Sequence, residues 1–132
     1  MKKLVLLTLL FVSFIACNSD ETKDEPKQDA TIGVWKIDKV INNGIEATNG
    51  CDELSRLTFT DNGNFTIVRK VIADIDCTTI MDSGGTWTNT HNEYAIEFSE
   101  GGIDMQIRIE NNILIEGDPA FNDSRVEWVK FN

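Results

Sequence analysis

The feature that most restricts this chain is a two-residue apolar period that returns, run after run, between short turns rich in Asn and Gly. From Tyr94 the sequence sets Tyr94, Ile96 and Phe98 against Ala95, Glu97 and Ser99. From Ile103 it sets Ile103, Met105, Ile107 and Ile109 against Asp104, Gln106, Arg108 and Glu110. Side chains alternate between the two faces of a strand, so these runs describe a sheet with one dry side and one wet side. About eight such runs follow Thr31. The others are Val34 to Ile41, Leu54 to Thr60, Phe65 to Ile72, a short strand around Trp87, Ile113 to Glu116, and Arg125 to Phe131. Ala73 to Ser83 reads as a looser segment, and no stretch keeps a helical period for three turns. Asn62-Gly63 is the preferred pair for a type I′ hairpin turn, and Asn43-Gly44, Gly101-Gly102 and Asn111-Asn112 mark further turns.

Consecutive strands joined by short turns are antiparallel neighbours, and eight is the number at which such a meander can close. The expected fold is all-β: an antiparallel, up-and-down, eight-stranded β-barrel over residues 31–132. A length of 132 residues with 41% hydrophobic content supports one core of that size. A net charge of -10 argues against nucleic acid, and against contact with an anionic membrane surface through charge. A monomer is expected, and any membrane contact should be apolar or covalent.

The N-terminus supplies such a contact. Lys2 and Lys3 precede an apolar run, Leu4 to Phe14, broken only by Thr8 and Ser13. A spanning helix needs about 20 apolar residues, so a cleaved signal is the better reading. Phe14-Ile15-Ala16-Cys17 resembles the lipobox of bacterial lipoproteins, with Phe14 standing where Leu is usual. The resemblance implies that residues 1–16 are removed, that Cys17 carries a diacylglyceryl thioether, and that the new N-terminus is acylated with a chain such as palmitate. Two or three chains at ~0.8 kcal/mol per buried methylene anchor a protein stably. The competing reading is a secreted protein in which Cys17 is incidental. Residues 17–30 form an acidic tether without apolar period. Its acids resemble tracts that send some lipoproteins to the outer face of the outer membrane, and they equally suit a solvated spacer. An outer-membrane address is expected, with the face left open.

Cys51 and Cys77 remain as an even pair in an oxidising compartment. A hairpin turning at Asn62-Gly63 gives paired residue numbers summing to about 125, which places Cys51 near residue 74 and within a short loop of Cys77. A disulfide is expected. A metal site is the rival, but the two cysteines lack two close additional ligands, and His91 sits in a separate predicted turn.

Gly33-Val34-Trp35 looks like the Gly-x-Trp signature of lipocalins. The Asp61-Asn62-Gly63 hairpin, the cysteine before the second strand and Gly84-Gly85-Thr86-Trp87 resemble small lipocalin-like domains of bacterial lipoproteins. The resemblance implies that Gly33 and Trp35 mark the closed base, with a basic residue, Arg125 or Lys130, packed over Trp35. It departs from the family in being short and in ending without a C-terminal helix pattern. The interior residues leave two readings open. In the first, Arg69, Tyr94, Trp87, Phe98 and Met105 line a cup for a small hydrophobic or amphipathic ligand. In the second, the aromatic residues fill the barrel, and the protein acts through its outer surface on a protein or glycan. Arg69 stands inward by parity and so needs an acid, a ligand or a place at the mouth. No catalytic constellation, cofactor motif or metal-ligand spacing is present in the sequence, so a non-enzyme is expected.

Overall fold

The structure, a computed structural model, describes residues 29–90, 93–101, 105–121 and 123–132. The leader, Cys17, the tether through Gln28, His91, and Ile103 and Asp104 at the start of the run from Ile103 lie outside the described residues. Among the described residues nine strands follow in chain order: β1 (Gly33–Asn42), β2 (Ile45–Glu46), β3 (Arg56–Phe59), β4 (Asn64–Ala73), β5 (Asp76–Thr90), β6 (Glu93–Phe98), β7 (Ile107–Glu110), β8 (Ile113–Glu116) and β9 (Arg125–Lys130). Every neighbouring pair is antiparallel, and β1 also pairs with β9, which closes eight of the strands into a barrel. β2 is a two-residue strand folded back on the end of β1. The expected eight-stranded up-and-down barrel is therefore the fold.

Closure follows from the alternation. Trp35 and Ile37 on β1, Leu57 and Phe59 on β3, Phe65 and Ile67 on β4, Trp87 on β5, Ile96 on β6, Ile107 on β7, Leu114 on β8 and Trp128 on β9 form one buried cluster. Every strand of the ring contributes to it. Burying large side chains of this kind contributes about 1.5–3 kcal/mol each against the entropy of ordering the chain. β1 needs an irregularity to keep its parity: the register with β9 shifts between Ile37 and Lys39, so Ile37 and Val40 both pack on the core.

Four local readings change. First, Ala73 to Ser83 is not loose. β4 runs to Ala73, the chain turns at Asp74 and Ile75, and β5 is a 15-residue strand, with a register shift opposite Arg69 and Lys70. Its first seven residues are exposed. A ribbon that buries neither face leaves no apolar alternation to read.

Second, the hairpin between β3 and β4 is not type I′. Gly63 has φ of 81° and Asn62 is not left-handed, whereas Thr60 N–H donates to Asn64 O at 2.9 Å. Pairing runs Phe59 to Phe65 and Leu57 to Ile67, one residue short of the expected register. Third, the second strand starts at Arg56, because Asp52–Leu54 forms a 3-10 turn. Fourth, the described part of the Ile103 run is a strand only over Ile107–Glu110, and β6 meets it at a single pair, Tyr94 with Ile107.

Cys51 and Cys77 are joined, with Cα atoms 5.3 Å apart. Cys51 begins the 3-10 turn and Cys77 lies on the exposed ribbon beside Ile72, so the bond ties the ribbon to the segment before β3.

Candidate ligand site

Strand direction gives the barrel two unlike ends. At one end β1 begins and β9 finishes. Trp35 is buried, and its indole N–H donates to Thr31 O at 2.7 Å. Lys130 lies above its ring, with Nζ 4.4 Å from the centroid, and donates to Ile32 O. Of the two basic residues open from the sequence, Lys130 is the one on Trp35, because β1 and β9 register Trp35 against Lys130 and Ile41 against Arg125. Gly33 makes room for it. Its φ of 129° favours glycine, and a Cβ there would stand 2.9 Å from Lys130 Nζ.

Asp29 completes this base. It accepts from the Thr31 N–H at 2.8 Å, from the Tyr94 hydroxyl at 3.2 Å and from the Asn89 side-chain amide at 2.5 Å. Burial alone pushes its carboxyl up, but these donors outweigh burial and hold it below the usual value. Burial raises the Tyr94 phenol, and the Asp29 charge adds to that; burial lowers the Lys130 ammonium, with Asp29 opposing.

Toward the other end the interior turns polar at one place. Arg69 on β4 forms an ion pair with Glu116 on β8, across the barrel from it in sequence order. Glu116 also accepts from the Trp128 indole N–H at 3.0 Å, and the Arg69 guanidinium lies 5.4 Å from the Trp128 ring centroid. The inward arginine thus has an acid partner, although its Nε is buried without a hydrogen bond.

Two recesses meet at Met105 and Gln106. The first, of about 360 Å³, is lined by Ile67, Met81, Phe98, Met105, Glu116 and the turn at Gly117 and Asp118. The second, of about 380 Å³, runs beside β6 and is lined by Trp87, Tyr94, Ile96 and Met105 among others. The structure therefore brings Phe98 and Met105 together in one recess, and Trp87, Tyr94 and Met105 in the other. Arg69 lines neither, and touches the first only through Glu116. Between the two ends the barrel is filled by Trp35, Phe59, Phe65, Leu57 and Trp128, each no more than 1% exposed, so Arg69 and Tyr94 do not share one continuous cup. Phe65 and Phe98 meet edge to face at 5.1 Å, as do Phe59 and Trp87 at 5.6 Å.

Glu116, Ile67, Met81 and Asp29 are the site residues that sequence reasoning missed. Glu116 had a signal: in Ile113 to Glu116 it shares parity with Leu114, an acid on the dry face to match Arg69. Asp29 gave none, since it reads as the end of the tether.

A closed antiparallel meander with a basic side chain stacked on a base tryptophan defines a lipocalin-type barrel. Residues 31–115, from the base through most of β8, match the family model of the lipocalin-like domain, and the chain belongs to that family. No curated protein and no solved structure matches the chain.

Proposed function

We propose that this protein is a membrane-anchored lipocalin-like lipoprotein that binds a small hydrophobic or amphipathic ligand, without catalysis, in the recess walled by Ile67, Met81, Phe98 and Met105. The observation that carries the reading is the composition of that recess: four apolar side chains beside the Glu116 carboxylate, which Arg69 and Trp128 hold in place. A recess of about 360 Å³ falls at the small end of ligand pockets, and the Glu116 carboxylate, with Gln106 and Asp118 also at the recess, offers polar groups that orient a ligand among the apolar walls. The lipobox at Cys17 supports attachment by acyl chains and an outer-membrane address.

Native mass spectrometry of protein purified from its own host tests the binding. A co-purified small mass that is lost in Phe98→Ala and Met105→Ala variants is expected, and full retention of it in both variants would overturn the assignment of the recess. Mass analysis of the mature N-terminus tests the anchor, and an N-terminus at Cys17 without acyl mass would refute it.

The filled middle of the barrel favours the second reading, in which the outer surface contacts a protein or glycan. A host-purified protein carrying no small mass, and binding none of a panel of fatty acids and other amphiphiles, would favour it.

A further inference from the structure

Barrel closure removes free edges from the ring but not from the ribbon that β4 and β5 extend beyond it. β5 pairs with β6 only over Gly85–Thr90, while its pairing with β4 continues down to Asp76. Among the described residues, the other side of residues 76–83 has no strand partner. The matching edge of β4 is covered: the turn at Asp52–Leu54 packs on it, Lys70 N–H donates to Ser55 Oγ at 3.0 Å, and Cys51 is bonded to Cys77. Among the described residues, one edge is shielded and the other left open.

We infer that the open edge of β5, residues 76–83, is a docking strand for an extended segment of a partner protein that carries both apolar and basic residues. An unpaired edge offers a row of backbone donors and acceptors to an added strand. The disulfide fixes the ribbon beforehand, which lowers the ordering cost of binding.

The side chains select the partner's chemistry. Residues 76–83 carry Asp76 and Asp82 and no Lys or Arg, with Asp74 at the turn and Lys70 on β4 opposite Thr79. Ile80 on the edge strand, at the register shift, is 59% exposed, and Ile72 on β4 and Ile75 in the turn are 54% and 93% exposed. An apolar membrane contact is disfavoured by the acids that flank Ile75. Two copies of this edge paired antiparallel would set Asp76 near Asp82, between chains that each carry a net charge of -10. A basic, apolar strand satisfies both features.

The test titrates the full chain, in detergent, with a synthetic peptide alternating lysine and valine, and with its glutamate counterpart, reading amide hydrogen exchange. The lysine peptide should slow exchange at the open-edge amides within 76–83 by about tenfold or more, and the glutamate peptide should not. Ile80→Lys, at an exposed position outside the core, should weaken the lysine peptide by about tenfold while leaving the melting temperature within a few degrees. Equal slowing by both peptides, slowing confined to the Phe98 and Met105 recess, no slowing at all, or concentration-dependent protection of 76–83 without peptide would each overturn the proposal.

Discussion

Arg69 is the residue on which interior packing and polarity meet. Its side chain and that of Glu116 are 22% and 19% exposed, so their pairing is screened only in part by water. Removing Arg69 leaves the Glu116 carboxylate without its counter-ion, and removing Glu116 leaves both the Arg69 guanidinium without a counter-ion and the Trp128 indole N–H without an acceptor. Glu116→Leu or Arg69→Met should therefore each cost about 1–3 kcal/mol, and the double replacement Arg69→Met with Glu116→Leu should cost less than the two singles summed. Urea unfolding of the three variants measures this; strict additivity would show that the pair does not act as a unit.

Asp29 makes a pH prediction of definite sign. Its folded value lies below the unfolded value of about 3.9, so its contribution is complete above about pH 4 and is lost as pH falls through the folded value. Asp29→Asn should flatten the loss of thermal stability as pH falls below about 4. On the alkaline side two groups oppose each other. Lys130 lies below its ordinary 10.5, so the folded state sheds that proton first and stability rises with pH in that window. Tyr94 lies above 10.0, so its contribution falls as pH climbs past that value.

Among the elements, the ribbon of β4 and β5 is the one the chain has to brace. The bond between Cys51 and Cys77 closes a span of 26 residues, which corresponds to about 3.5 kcal/mol in the chain-entropy description. Reduction, or Cys51→Ser with Cys77→Ser, should lower stability by up to that amount, with proteolysis first appearing near Asp74 and Ile75. Unchanged stability and cleavage would show that the ribbon holds by its ladder alone. Farther along β5, the strands come so close that a Cβ at Gly85 would stand 1.9 Å from the Glu97 carbonyl oxygen, which is why the sequence places glycine there.

The elements also show what could be read beforehand. β6 was plain because Tyr94, Ile96 and Phe98 alternate with a wet face. The cysteine pairing was within reach because one local hairpin sets its register, even with that register one residue off. The outer half of β5 was not legible, since a strand exposed on both faces has no period in hydropathy. The partner of Arg69 was only half legible: parity puts Glu116 on the dry face, but that it meets Arg69 is decided only when distant strands assemble, and no local pattern encodes that distance. The same holds for the choice of Lys130 over Arg125, which the pairing of the first and last strands decides.

At the scale of the molecule, the ring is sealed by β1 against β9, with Trp35 registered to Lys130 and Ile37 to Trp128. Contacts between the two ends of a domain carry a large loop-closure cost, and barrels dominated by such pairings fold in about milliseconds to seconds. Stopped-flow refolding should show that range, and Lys130→Met should speed unfolding more than it slows refolding if the seam forms last. The reverse partition would place the seam in the folding nucleus.

The contact between Trp35 and Lys130 bears also on how the polypeptide is made. Until the ribosome has produced β9, the first strand lacks one of its two neighbours, Trp35 lacks its lid, and the hoop stays open. A chain arranged in this way remains threadable through a narrow pore for almost the whole of its synthesis. β9 acts as the latch, engaging only once everything upstream has been made.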